Sequence, residues 1–372
     1  MEAARGLAPR IDAAAEEIER ERRLPPRLVA ELVQADLFKM LLPKSVGGVE
    51  LDLPGYVRVI EQLARADASV AWCVGQSSGL CLLAAYMEPQ TARRIFVETT
   101  PGILANGPGE RNEPGCATRV SGGYRLTGKW NFASGIRHAT WLDAISKVEG
   151  ESSNRFMLFP IQEATLLDTW EVSGLRGTGS FSFTVSDLFV PEGYSAVISD
   201  RTRQEHGPLY QFWSSGVFGP TFGSVALGIA HSALGSLIEL ARDKTPRGLG
   251  RLRESATVQA AIARAQARLD GARLLLHQRL HEAWDQACQT GELELAKRVN
   301  VRLAATHATH EAKAVVDTAY EAAGSTAIFA TQPFERRFRD MHAVTQQLQG
   351  RAAHFESVGK FLVGLDPDQQ FL

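Results

Sequence analysis

Paired histidines are the first candidates for chemistry in this chain. His277 and His281 lie four apart, and His307 and His310 three apart. Such spacings can put two imidazoles on one helix face and hold a metal. Neither pair has an H-E-x-x-H order and no carboxylate completes a triad, so polar positions on long helices are the plainer reading. Ser134 sits in Gly128–Gly135 (GKWNFASG). A nucleophile elbow would need a G-x-S-x-G turn from strand to helix, which this is not. The Ser134 hydroxyl suits a hydrogen bond to a bound heterocycle, with Trp130 and Phe132 as a flat apolar wall; the alternative is a strand end with core aromatics. The glycine-rich run Gly174–Ser180 (GLRGTGS) lies between β-type stretches, outside the strand–turn–helix setting of a dinucleotide fingerprint, and no P-loop is present. Arg336, Arg337, Arg339 and Asp340 follow Pro333. They read as a solvated helix start, an inter-subunit ion pair or an anion contact. Lys244 and Arg247 flank a turn bearing Pro and Gly, where cations suit a phosphate or a solvated loop.

These residues are carried by three successive textures. Residues 1–100 are helical in pattern: Ile11–Arg22, a helix opening near Pro25-Pro26 and running through Leu28, Leu32 and Leu37, then Leu53–Arg65 and Ser69–Ala85 with apolar residues at helical spacing. Residues 101–212 alternate in short stretches (Ala117–Val120, Tyr124–Thr127, Ala139–Lys147, Phe156–Pro160, Phe181–Val190), with a hairpin turn at Gly122-Gly123. They predict a small β-barrel or sandwich. Residues 213–372 are helical again, with helices over Phe222–Ala241, Val258–Gln289, Leu293–Ala323 and Phe334–Gln349, long enough to pack as a bundle. The predicted fold is mainly α with a central β-domain.

Composition excludes several classes. Lys+Arg is 40 against Asp+Glu 42 over 372 residues, a net charge of -2. That balance argues against a protein whose main work is neutralising nucleic-acid phosphates. No run reads as the roughly 18–20 apolar residues of a membrane span. Four cysteines (Cys73, Cys81, Cys116, Cys288) form no C-x-x-C pair. A reduced, cytoplasmic protein without structural zinc is expected.

Several stretches, in order, resemble the acyl-CoA dehydrogenase superfamily: Leu37–Gly48 (LFKMLLPKSVGG), Ala64–Val74 (ARADASVAWCV), Gly128–Gly135, Val172–Ser180 (VSGLRGTGS) with Phe189–Glu192 (FVPE), and Ala322–Asp340 (AAGSTAIFATQPFERRFRD). Gly128–Gly135 and Lys244–Gly248 (KTPRG) are similar to its flavin-dependent monooxygenase branch. The resemblance implies an N-terminal helical domain, a β-barrel, a C-terminal four-helix bundle, and a homotetramer with flavin between barrel and bundle. It implies reduced FMN or FAD supplied by a separate flavin reductase, a C4a-hydroperoxide, and oxygenation of a small organic substrate. Around the flavin it points to Trp130, Phe132, Ser134 and Thr178, with Lys244 and Arg247 at the phosphates. Ser134 matches the family's hydroxyl residue near flavin N5, where it is expected to donate a hydrogen bond.

The resemblance also separates rival activities. A dehydrogenase needs a carboxylate base. The family's position nine residues before the terminal Asp is Thr331 here, and the second location, on the helix after the β-domain, is empty, because no Asp or Glu occurs between Glu205 and Glu239. Acyl-CoA dehydrogenation with a non-standard base therefore ranks second. A non-catalytic flavin- or DNA-binding relative of the fold ranks third. In the monooxygenase branch a histidine assists from the last helix; Gln347 holds that position, and His342, about 140° away around a helix, is the substitute.

Overall fold

The structure, a computed structural model, describes all residues except 100, 113, 213–214, 249 and 370–371. The expected boundaries at 100 and 213 fall on residues outside that set. The chain opens with helices α1 (Glu2–Ala13), α2 (Ala15–Glu21), α3 (Pro26–Gln34), α4 (Leu53–Ala66), α5 (Ala68–Leu80) and α6 (Pro89–Arg93). Strands follow: β1 (Leu104–Gly107), β2 (Cys116–Val120), β3 (Gly123–Ala133), β4 (Trp141–Val148), β5 (Asn154–Pro160), β6 (Thr165–Leu167), β7 (Phe181–Pro191) and β8 (Ser195–Ala196). The C-terminal helices are α7 (Ser215–Asp243), α8 (Ala256–Thr290), α9 (Leu295–Ala323), α10 (Pro333–Gln346) and α11 (Ala353–Leu362).

Local chemistry sets these ends. Pro26 opens α3, where a missing N–H costs nothing. Asp52 caps α4 by accepting from Gly55 N at 2.7 Å, and Asp67 caps α5 by accepting from Val70 N at 3.0 Å. Asp67 is extended, so α4 and α5 are separate helices with one residue between them. Leu37 lies beyond α3, after Asp36 turns left-handed. The last long helix stops at Gln346, earlier than expected, because Gln347 is extended (ψ 147°).

The strands form one sheet in the order β6-β7-β3-β2-β4-β5-β8, with β1 added parallel to β4. Gly122, at φ +78°, turns β2 into the antiparallel β3. No ladder among the described residues joins β6 to β8, so the barrel is open. The helical layers pack closely where small residues meet. A Cβ on Gly228 of α7 would lie 2.5 Å from the Ala64 Cβ of α4. By length and composition, Ala68–Tyr86 and Ser215–Asp243 could cross a membrane, against the expectation above, but 94% and 61% of their most apolar windows are buried inside the protein.

Candidate functional site

The 174–180 loop is where the three layers meet. Gly174 touches α10 so closely that a Cβ would lie 2.1 Å from the Arg339 carbonyl oxygen. Leu175 N donates to Asp340 Oδ1 at 2.6 Å. Gly177 faces Ile18 of α2 and Ser69 of α5 with the same lack of room. The charged cluster after Pro333 is thus mostly an internal clamp rather than a solvated helix start. Asp340 is buried, Arg337 donates to Ser236 Oγ at 2.7 Å, and Arg339 bonds Glu335, Glu19 and the Ser173 carbonyl. Burial, with the Asp67 charge behind it, pushes the Asp340 carboxyl up to about 7.

This loop delivers two hydroxyls to Ser134. Ser134 Oγ lies 2.8 Å from Ser180 Oγ, which lies 2.7 Å from Thr178 Oγ1. From the helical side, Trp72 Nε1 of α5 donates to Ser134 Oγ at 3.1 Å, while its ring stacks on Phe222 of α7 at 4.0 Å. The site therefore joins α5, the end of β3, the 174–180 loop and α7. All four polar residues are nearly buried; Ser134 keeps 8% exposure. One turn further along α5, Gln76 donates to Asn106 at 2.8 Å, and Asn106 donates to Asp143 at 3.1 Å. Asp143 is fully buried and its Oδ1 has no hydrogen-bond partner. Burial pushes its carboxyl up to about 7 despite the bond from Asn106.

The sequence-derived candidates separate clearly. Trp130 and Phe132 do not share a wall. A register shift between Trp130 and Ala133, with Phe132 at φ +59°, flips the alternation. Trp130 is fully buried, donates to the Ile145 carbonyl at 3.0 Å and stacks on Phe183, so it is a core residue of the sheet. Phe132 points outward, 62% exposed, touching Trp170 edge-on. A left-handed backbone at a non-glycine residue costs roughly 1–3 kcal/mol. Thr178 joins Ser134 through Ser180. Lys244 is spent on the C-terminal end of α9, donating to the Ala323 carbonyl and to Thr326 Oγ1 at 2.8 Å. Arg247 is exposed on the following connection.

His342 and Gln347 are not brought to Ser134 by any hydrogen bond. His342 Nε2 bonds Asp317 Oδ1 on α9 at 3.0 Å and its ring packs on Phe338. Gln347, off the helix, accepts from Gln349 N at 2.6 Å. Three of the four paired histidines bridge elements: His277 bonds the buried Glu61 at 3.1 Å, His281 bonds Arg58, and His310 bonds the Gly350 carbonyl. Burial would raise the Glu61 carboxyl, but bonds from His277, Arg273 and Arg65 hold it at about 2. Among the described residues no three His, Cys, Asp or Glu side chains gather as a metal site. Trp72, Ser180, Asn106 and Asp143 were missed from sequence. The one available signal was Trp72 itself, since a buried indole N–H requires an acceptor.

Comparison with known proteins supplies what geometry alone leaves open. Residues 2–99 match the acyl-CoA dehydrogenase N-terminal domain and residues 220–349 the acyl-CoA dehydrogenase C-terminal domain. The chain belongs to the acyl-CoA dehydrogenase superfamily. Within it, the full-length relatives place it in the flavin-dependent monooxygenase branch. It is 26% identical to indole-3-acetate monooxygenase of Pseudomonas putida, over 94% of this chain and 90% of that one. It is 27% identical to the oxygenase component of an FADH(2)-dependent resorcinol hydroxylase from Rhizobium sp., over 98% and 94%. The structure superposes on XiaF from Streptomyces sp., solved with FADH2 and glycerol, at a TM-score of 0.89 and 27% identity, covering 100% of this chain and 96% of XiaF.

Proposed function

We propose that this superfamily member is the oxygenase component of a two-component system. It takes reduced FMN or FAD from a separate flavin reductase and oxygenates a small aromatic substrate. Reduced flavin, when bound, supplies two electrons, so that one atom of O2 enters the substrate and the other leaves as water. The observation that carries the reading is the buried Trp72–Ser134–Ser180–Thr178 chain, whose Ser134 lies two residues after the exposed Phe132 where the three layers meet. These residues would suit a flat polar heterocycle: Phe132 would offer a ring face, and Ser134 would hold the hydroxyl that the family resemblance implies for flavin N5. Trp72 and Phe222 extend the apolar side that keeps water out. Arg247 is the exposed cation for the phosphate end, with Lys244 committed elsewhere.

The relatives support the aromatic substrate class, since their names specify indole-3-acetate and resorcinol. They equally support reduced flavin as co-substrate. Against dehydrogenation stands the sequence. Thr331 is an exposed hydroxyl in the loop before α10, and residues 206–238 contain no acid. The assembly is a cytoplasmic homotetramer built through the bundle. α8 buries only one stripe, from Ala265 to Ala287, and leaves Leu274 65% exposed; after α9, Ile328 and Phe329 are 62% and 58% exposed. Aerobic turnover with a flavin reductase, NADH and a panel of phenols and indoles tests the reading. Hydroxylated product is expected; NADH consumed wholly as hydrogen peroxide across the panel contradicts it.

A further inference from the structure

Gln76 is the only residue of α5 that is not buried; it is half-buried in the middle of an interior helix. An opening therefore reaches α5 at that point. Trp72, Gln76 and Gly79 follow one stripe of the helix, at spacings of four and three. Phe222 of α7 stacks on Trp72 at 4.0 Å, and a Cβ on Gly79 would lie 2.5 Å from the ring of Phe218. Phe218 and Phe222 stack on each other at 6.1 Å. Gln76 is thus an amide set into an aromatic wall. The wall stands beside the strand that carries Ser134. Gln76 reaches Asn106 of β1, and the next residue, Gly107, packs so tightly on β3 that a Cβ would lie 1.7 Å from the Asn131 carbonyl oxygen.

The sense of that amide is set from behind. β1 and β4 pair in register at Asn106 and Asp143. A carboxylate can only accept, so Asn106 turns its Nδ2 to Asp143 Oδ2, at 3.1 Å. Asn106 Oδ1 is left facing Gln76 and accepts from its Nε2 at 2.8 Å. Gln76 Oε1 then faces away from Asn106, and it accepts from none of the described residues.

We propose that Gln76 is a specificity-determining residue, whose Oε1 accepts from an O–H or N–H on the aromatic ring to be oxygenated, and that Asn106 and Asp143 are positioning residues that hold its amide in that sense. This rests on the reading above that the protein oxygenates a small aromatic molecule. An amide free to flip would offer its NH2 to an ether or carbonyl oxygen as readily as its oxygen to a hydroxyl. Held through Asn106 by Asp143, it disfavours a ring substituent that only accepts, because two acceptors would then face each other among apolar side chains.

The test is equilibrium dialysis of the full-length protein, without reductant so that nothing turns over, against phenol and anisole and against indole and 1-methylindole. It is run at pH 8, where the Asp143 carboxyl, pushed up to about 7 by burial, is mostly ionised. The parent should bind phenol and indole at least roughly tenfold tighter than their methylated counterparts, the scale of one buried hydrogen bond made rather than opposed. The methylated ligands are the more apolar, so hydrophobic binding alone gives the opposite order. Gln76→Leu removes the acceptor, and the ratio should fall to about twofold or less. Asp143→Asn touches no ligand, but its amide can offer either end to Asn106; the ratio should fall to about threefold or less. A purely structural role for Asp143 would weaken both members of a pair together and keep their ratio. A parent without preference overturns the proposal, as does either variant with the parent's ratio. Binding of none of the four overturns it too. In each of these cases, hydroxylated product from the panel of phenols and indoles leaves the oxygenase reading standing, and its absence removes that reading as well.

Discussion

Gly174→Ala should damage both stability and flavin binding, because the site loop is docked on α10 through a glycine. An added Cβ would lie 2.1 Å from the Arg339 carbonyl oxygen, 2.5 Å from its carbon and 2.8 Å from Asp340 N. Ordinary contact is more than 1 Å longer, and the obstacles are backbone atoms of a helix, so loop and helix must separate by about 1 Å. That displacement stretches the 2.6 Å bond from Leu175 N to Asp340 beyond hydrogen-bond range. Relief of the overlap costs roughly 1–3 kcal/mol. The buried Asp340, losing a donor, adds roughly 1–3 kcal/mol more. One movement causes both, so a total of about 2–5 kcal/mol is expected. Because Thr178 and Ser180 ride on the same loop, flavin affinity should fall as well. Differential scanning calorimetry and a flavin titration read the two effects. Gly235→Ala is the control: it lies in α7 with nothing near its added methyl and should be neutral or slightly stabilising. Gly174→Ala with the parent's melting temperature and flavin affinity would refute the docking argument.

Other perturbations test separate links. The Asp143 carboxyl is raised from 3.8 to about 7, so the folded state holds a proton that the unfolded chain releases; stability from this group is complete below about pH 4 and lost as pH rises through 7. Asp143→Asn should therefore flatten the fall in urea stability between pH 5 and 8, by an amount on the order of a few kcal/mol, and equal slopes would contradict the burial argument. Ser134→Ala should still bind flavin but release peroxide roughly five- to 150-fold faster, as expected for loss of one buried polar partner worth about 1–3 kcal/mol; an unchanged ratio of peroxide to product would reduce Ser134 to packing. Gln347→Ala should cost about 1 kcal/mol through its lost bond to Gln349 N and leave coupling of NADH to product unchanged, while a collapse of coupling would give Gln347 a chemical role. Light scattering at micromolar concentration should report a tetramer, and a monomer would overturn the assembly through α8 and α9.

The three-layer order was legible because the layers differ in texture: helical spacing in α4, alternation over Tyr124–Thr127 at the start of β3, and long apolar helices again from α7. Short glycine-bearing stretches singled out Ser134 and Thr178, which the structure links through Ser180. Their environment was not legible. Trp72 meets Ser134 across 62 residues, and nothing local in either segment encodes that contact. Trp130 was misplaced because parity along β3 fails at a bulge, which no glycine or proline announces at Phe132. Gln347 was expected on a helix, yet the chain leaves α10 one residue earlier and turns at residues 348–350, held by Gln347's own side chain. Lys244 had the charge for a phosphate, but a helix C-terminus offering unpaired carbonyl groups lies within its reach.

The central claim, that this protein uses reduced flavin to place one oxygen atom on an aromatic molecule, is tested most directly with labelled oxygen. The protein, saturated anaerobically with chemically reduced FMN or FAD in separate samples and mixed with phenols and indoles, is exposed to 18O2 and the products are weighed by mass spectrometry. The account predicts a product carrying a single 18O atom per molecule, formed with at least one of the two flavins and absent without protein. Quantitative conversion of 18O2 to hydrogen peroxide with both flavins, together with bleaching of the oxidised flavin by an acyl-CoA under anaerobic conditions, would contradict it.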